Sequence, residues 1–237
     1  MCMSAVTALL FDVFGTVVNW REGISRDVAI IADQKGVSLD PAAFADSWRS
    51  EYQPAMEEVR SGRRSFTILD VLHRENLKKV ATNFGLGALS AEDEDFLVTA
   101  WHRLPGWPDS SEGMLRLKQK FILGSQSNGN IALIVNMAKY ANLPWDVVLG
   151  AEVVGHYKPQ PKAYLNACTA LGLATENCMM VAAHNDDLVA ARAAGMKTAF
   201  VCRPTEHGAG QTKDLLAEQD WEFVAQDFND LADKLGL

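Results

Sequence analysis

Six short apolar runs separated by helix-patterned stretches constrain this chain more than any other feature. The runs fall at 7–13, 121–125, 146–149, 178–183, 197–202 and 222–225. Apolar runs of that length bounded by Gly read as buried strands. Helical patterns lie between them, at 110–120, 130–141, 161–171, 187–194 (ending at Gly195) and 228–235. Strands alternating with helices imply βαβ units and a parallel sheet. The expected fold class is therefore α/β, with a Rossmann-like parallel sheet as its core. At 237 residues the chain is long enough for one sizeable core plus a smaller domain.

The spacing of the first two strands is anomalous. A βαβ crossover takes about 30 residues, yet roughly a hundred separate Asp12 from the run at 121. That interval is helix-patterned near 22–35, 40–58, 65–83 and 91–103, and it leaves through Leu104-Pro105-Gly106-Trp107-Pro108-Asp109, a Gly/Pro punctuation. The expected organisation is a catalytic core of residues 1–18 and 104–237 with a helical cap of residues 19–103. A cap rooted just beyond Asp12 would cover it, excluding water and completing a site.

Charge and cysteine usage narrow the partners. The formal net charge of −8 argues against nucleic-acid or anionic-membrane binding, while leaving room for a small anionic substrate held by local Arg and Lys. Cys2, Cys168, Cys178 and Cys202 show no metal-ligand spacing; three lie in apolar segments, as reduced cysteines of a cytoplasmic protein do. No run of 18 apolar residues is present and MCMSAV lacks the pattern of a signal peptide. The expectation is a cytoplasmic, soluble protein.

Four polar turns stand at the carboxyl ends of the expected strands, where open parallel sheets bind ligands. The first is Phe11-Asp12-Val13-Phe14-Gly15-Thr16; taken alone, Asp12 reads equally well as a helix cap or a solvated loop acid. The second, Ser125-Gln126-Ser127-Asn128-Gly129-Asn130, offers hydroxyls, amides and exposed N–H groups at a helix start, which suit an anion or simple capping. His156-Tyr157-Lys158-Pro159 and Ala183-His184-Asn185-Asp186-Asp187 complete the set. Each has a bland reading, but four around one apolar-flanked Asp define a candidate site.

The order and spacing of these turns resemble the haloacid dehalogenase superfamily, with Asp12-Val13-Phe14-Gly15-Thr16, Ser127-Asn128, Lys158-Pro159 and Asp187 in the places of its four motifs. Two positions separate chemistries within it. The superfamily's phosphatases carry a second Asp where Phe14 stands and a Mg²⁺-ligating acid where Ala183 stands. Mg²⁺ wants several oxygen ligands, and Asp12 with Asp187 would make a poor cage. What remains is similar to the type II (S)-2-haloacid dehalogenases, which use neither metal nor other cofactor.

That resemblance implies a reaction and a set of roles. Asp12 would displace halide from C2 of a short 2-haloacid, giving an ester that water hydrolyses to the 2-hydroxy acid of inverted configuration. Ser47-Trp48-Arg49-Ser50 looks like the family segment whose Arg cradles the halide, with Asn128 as its helper. Thr16 and Ser127 would hold the nucleophile and the substrate carboxylate, and Lys158 would keep Asp12 ionised. Asp187 would anchor Lys158 and place the water, while Phe14 and Tyr164 would border the substrate. A homodimer is also implied.

The fourth motif departs from the family, which has Ser, Asn and Trp where Ala182, His184 and Asp186 stand. His184 is the candidate to replace what is lost, as base or hydrogen-bond donor. Other readings stay open: the same Asp12 ester with a different leaving group, a Mg²⁺-dependent phosphatase, or a binding protein that has lost turnover.

Overall fold

The computed structural model describes residues 6–237; Cys2 and the rest of the segment before Val6 lie outside it. All six expected strands form, and they pair in parallel as one sheet in the order β3-β2-β1-β4-β5-β6. They are β1 (Ala8–Phe11), β2 (Ile122–Gln126), β3 (Val147–Leu149), β4 (Cys178–Ala182), β5 (Lys197–Val201) and β6 (Phe223–Ala225). The chain runs outward from β1 through β2 to β3, then returns to add β4 on the other side. The reversal puts a crevice at the carboxyl ends of β1 and β4, the topological switch point at which such sheets take ligands. Asp12 follows β1 immediately, and its N–H donates to the Val181 carbonyl (3.0 Å).

Side chains of β1 alternate between two apolar clusters, Leu9 and Phe11 joining one and Ala8 and Leu10 the other. With both faces covered, every residue of the strand is fully buried. Helices α6 (Ser110–Leu117), α7 (Ile131–Tyr140), α8 (Ala151–Val154), α9 (Pro161–Ala170), α10 (Asn185–Ala193) and α11 (Phe228–Lys234) follow or separate the later strands.

Between β1 and β2 the chain is helical, as the pattern predicts: α1 (Trp20–Gln34), α2 (Pro41–Ser50), α3 (Tyr52–Arg60), α4 (Leu69–Asn83), α5 (Ala91–Val98) and a 3-10 turn, Thr99–His102. The single helix expected over 40–58 is two, because Pro54 has no N–H to donate one turn back and fits only the first turn of a new helix. The helix expected from 65 starts at Leu69 because Ile68 is extended and the carbonyls of Ser65 and Thr67 are taken by the Thr67 and Tyr157 hydroxyls.

These helices share the apolar cluster of one sheet face. Trp101 packs within 5.8 Å of the Phe14 ring, 5.5 Å of Trp48 and 6.5 Å of Trp20, and all four are buried. Burying each large side chain contributes about 1.5–3 kcal/mol, so this aromatic group fixes the helical segment above Asp12. Among the described residues no helix is long and apolar enough to cross a membrane.

One buried ion pair ties the loops of the crevice together. Arg203, after β5, grips Asp109 through both terminal nitrogens (2.7 and 2.8 Å) and donates from Nε to the Thr16 carbonyl (2.9 Å). Both partners are nearly inaccessible, and removing one leaves an uncompensated charge at a cost of about 3–5 kcal/mol. Arg203→Ala is therefore expected to lower the unfolding free energy by about 3 kcal/mol in urea titrations with an unchanged m-value; a loss under about 1 kcal/mol would show that the pair does not hold the loops.

Candidate active site

Asp12 sits at the end of the most buried strand with 7% of its surface exposed, a position that costs a carboxylate dearly unless every lone pair is answered. Its oxygens are answered three times. Lys158 Nζ donates to Oδ1 (2.9 Å), and Thr16 Oγ1 donates to Oδ2 (2.7 Å). His184 Nδ1 lies 3.2 Å from Oδ2. The Thr16 hydroxyl is itself oriented, because it accepts from the Ala183 N–H at the end of β4 (2.9 Å).

Lys158 is shared with a second carboxylate, Asp187 in the first turn of α10, whose Oδ2 accepts from Nζ at 2.5 Å and whose Oδ1 accepts from Tyr164 (2.6 Å). The lysine backbone is placed by Asn128, whose side-chain oxygen accepts its N–H (2.8 Å). Ser127 stands one residue earlier and accepts from the Gly129 N–H (3.0 Å), shaping the turn into α7.

His184 bridges two acids. Opposite Asp12, its Nε2 meets Glu206 Oε2 at 2.9 Å, while Glu206 Oε1 accepts from the Trp20 indole (2.8 Å). Glu206 stands on the loop after β5, and its carboxylate fills the space beside Gly15. Gly15 has φ +87°, and a Cβ there would come within 2.0 Å of Glu206 Oε1, so only glycine fits both the backbone and the neighbour.

The protonation states follow from these contacts. Burial pushes Asp12 up, but the charge of Lys158, the His184 hydrogen bond and the His184 charge overrule it and hold the carboxyl well below its usual range. Burial works against the Lys158 ammonium; Asp12 and Asp187 together raise it above an ordinary lysine. Burial also disfavours a charged His184, yet Glu206 and Asp12 hold it as an imidazolium. Burial raises Asp187; Lys158 pulls it down, but Asp12 pushes it up again, because one ammonium serves two carboxylates. Glu206, raised by burial, ends below the usual glutamate range through the charge of His184.

A cavity of about 720 Å³ opens on this cluster. Asp12, Phe14, Arg49, Asn128, Lys158, Tyr164, His184 and Asp187 line it, with Trp20 and Tyr52 among the aromatic walls. Thr16 and Ser127 stand outside the lining. The Arg49 guanidinium lies over the Tyr52 ring (4.1 Å) and near the rings of Trp20 (5.4 Å) and Phe14 (5.6 Å), and its buried Nη1 has no protein hydrogen-bond partner. A cation supported by aromatic faces and holding a free donor suits an incoming anion.

Apart from Ser127, whose hydroxyl is engaged by the Gly129 N–H and lies outside the cavity lining, the residues read from the sequence converge, and Glu206, Trp20 and Tyr52 join them unforeseen. The available signal for Glu206 was its position: Arg203-Pro204-Thr205-Glu206-His207 is the polar turn closing the run at 197–202. Tyr52 lies three residues beyond Arg49, one helical turn on, although a helix boundary intervenes.

A Rossmann-like sheet with one ionised carboxylate at the switch point, backed by a lysine and covered by an inserted helical segment, is the arrangement of an α/β hydrolase with its candidate active site at the carboxyl ends of the strands. The family model for haloacid dehalogenase-like hydrolases matches residues 6–195, and the chain belongs to this family. Among solved structures, the defluorinating L-2-haloacid dehalogenase Rha0230 superposes with a TM-score of 0.96 at 47% identity, covering 98% of this chain and 96% of that one. The L-2-haloacid dehalogenase PA0810 superposes with a TM-score of 0.94 at 46% identity, covering 98% and 99%. (S)-2-haloacid dehalogenase 4A of Burkholderia cepacia is 27% identical over 208 residues, 85% of each chain.

His184 supplies a test of the charge arrangement. A histidine raised by its partners contributes stability that is complete below its unfolded value of about 6.5 and is lost as pH rises through the folded value. Nitrogen-15 spectra should show both His184 ring nitrogens protonated at pH 7.5, and Glu206→Gln should move the titration to lower pH. A neutral ring at pH 7.5 in the unaltered protein would contradict the arrangement.

Proposed function

We propose that this protein hydrolyses the carbon–halogen bond of a short (S)-2-haloalkanoic acid, releasing halide and the (R)-2-hydroxy acid through an ester on Asp12. One observation carries the reading: a carboxylate held ionised by Lys158 and His184 lines the same cavity as Arg49, whose buried Nη1 has no protein partner. Two close structural relatives named for this reaction support it.

In the first step an Asp12 oxygen attacks C2 in line with the halogen. The new C–O bond forms as the C–X bond breaks, and the electron pair leaves with halide toward Arg49 and Asn128. Halide leaves without a proton, so Phe14 can occupy the position at which a phosphatase needs a second acid. Phe14 and Tyr164 border the substrate, and Ser127 with Thr16 sets the turns that face its carboxylate and the nucleophile.

The second step begins from an altered charge balance. Ester formation removes the negative charge that Asp12 presented to His184 and Lys158. His184 then keeps Glu206 alone as its acid partner and releases its Nδ1 proton to solvent through the cavity. The neutral ring takes a proton from water as the water oxygen attacks the Asp12 carbonyl carbon and returns it to the departing alkoxide; the carboxylic acid left on Asp12 then gives its proton to the ring, restoring the carboxylate and the imidazolium. Asp187, held by Lys158 and Tyr164, keeps the ammonium in place throughout.

No step asks for a metal. Lys158 Nζ occupies the position between the Asp12 and Asp187 carboxylates, and Ala183 brings no ligand where the phosphatases place one. In this reading residues 19–103 act as the cap, the partner is a small haloacid rather than nucleic acid, the protein pairs as a homodimer, and it works in the cytoplasm.

Halide release from (S)-2-chloropropionate should continue at full rate in EDTA, and Asp12→Asn should abolish it. Arg49→Ala should reduce kcat about 10²-fold or more, the scale for losing an electrostatic donor at a developing anion. Chelator-sensitive phosphate release from phosphomonoesters, with no halide from any 2-haloacid, would overturn the proposal.

A further inference from the structure

Lys158 is clamped at the backbone from two sides, and one side belongs to the inserted helices. Its N–H goes to Asn128 of the core. Its carbonyl accepts from Nη1 of Arg60, the last residue of α3 (3.1 Å). The contact is reciprocal, since Gln160 Nε2, two residues past Lys158, donates to the Arg60 carbonyl (3.0 Å). Nearby, the Tyr157 hydroxyl donates to the Thr67 carbonyl (2.5 Å) and the Tyr157 ring packs on Phe66 (5.5 Å). Segment 60–67 thus seats on segment 157–160 through three hydrogen bonds and one ring contact.

Arg60 is a costly way to hold one carbonyl. Its side chain is only 12% exposed, and its carboxylate partner, Glu57, lies largely in solvent. Gln53 accepts from Arg60 through its side-chain oxygen and its backbone carbonyl, fixing the guanidinium against its own helix. The residue after Lys158 is a proline with no N–H to anchor the turn. The carbonyl before it is therefore the polar group through which this turn can be held from outside, and Arg60 takes it.

We infer that Arg60 is a positioning residue for Lys158: seating of segment 60–67 on the 157–160 turn sets the origin of the lysine side chain, so that its ammonium reaches both Asp12 and Asp187. Closure of the helical segment and assembly of the nucleophile's counter-ion become one event. A site whose lysine carries four rotatable side-chain bonds needs such a fixed base, because a displacement near 1 Å costs about 10²-fold in rate. The inference rests on the proposed dehalogenation for its kinetic consequence but not for its geometry.

Two measurements separate these. Amine labelling with trinitrobenzenesulfonate at pH 9, read at each lysine by peptide mass spectrometry, needs no turnover. Lys158, buried and doubly paired, should label slowly in the unaltered protein and at least about tenfold faster in Arg60→Ala, the other lysines keeping their rates. On (S)-2-chloropropionate, Arg60→Ala should lose about 10- to 100-fold in kcat with KM within about twofold. Arg60→Lys should lose less, and added guanidinium should restore part of the alanine variant's rate. Unchanged Lys158 labelling in a variant with native circular dichroism would overturn the inference. A rise in KM at constant kcat would also overturn it, assigning Arg60 to the substrate carboxylate instead. Faster Lys158 labelling in Arg60→Ala, with no halide released by the unaltered protein, would leave the positioning role standing and remove the dehalogenase reading.

Discussion

The rest of the structure is arranged around one ammonium group held between two buried carboxylates. Lys158 touches Asp12 and Asp187 at once, and all three side chains are almost inaccessible to water. Buried charges of this kind survive only when partners and hydrogen bonds are complete. The sheet order meets that demand by bringing the ends of β1 and β4 side by side and feeding the 157–160 turn and the start of α10 into the crevice between them. Thr16, Tyr164 and Asn128 then supply the remaining hydrogen bonds.

A second charge chain crosses the first at Asp12. His184 and Glu206 extend the cluster to Trp20, at the start of the inserted helices, so the loop after β5, the loop after β1 and the helical segment meet at one carboxylate. The consequence is coupling. In the proposed reaction, converting Asp12 to a neutral ester removes a partner from Lys158 and His184 together, and the environment that holds the carboxylate ionised becomes one that favours its release. Arg49 stands apart from this network, caged by Phe14, Trp20 and Tyr52, and keeps a donor free for an anion.

Much of this was legible in the residue pattern because it depends on local signals. All six strands were visible as apolar runs, and Asp12, Ser127, Asn128, Lys158 and Asp187 as polar turns at their ends. Helix boundaries in the insertion were harder: Pro54 splits one expected helix, and the carbonyls used by Thr67 and Tyr157 delay another. Glu206 was marked only by its place in the polar turn after the run at 197–202, and its role was hidden for a different reason. It pairs with Trp20 across 186 positions and with Gly15 through a close approach that no spacing encodes, and an acid in a long polar loop looks like any solvated one. Arg60 was equally hidden, because its partner is a backbone carbonyl 98 residues away.

In the proposed reaction Asp12 itself carries the substrate. A single turnover of (S)-2-chloropropionate in ¹⁸O-water, with enzyme in excess, followed by mass spectrometry of the peptide containing Asp12, tests it directly. Hydrolysis of the ester at the Asp12 carbonyl places one heavy oxygen on that side chain and leaves the 2-hydroxy acid unlabelled. Heavy oxygen in the hydroxyl of the product, with Asp12 unlabelled, would mean that water attacks the substrate directly and would contradict the account.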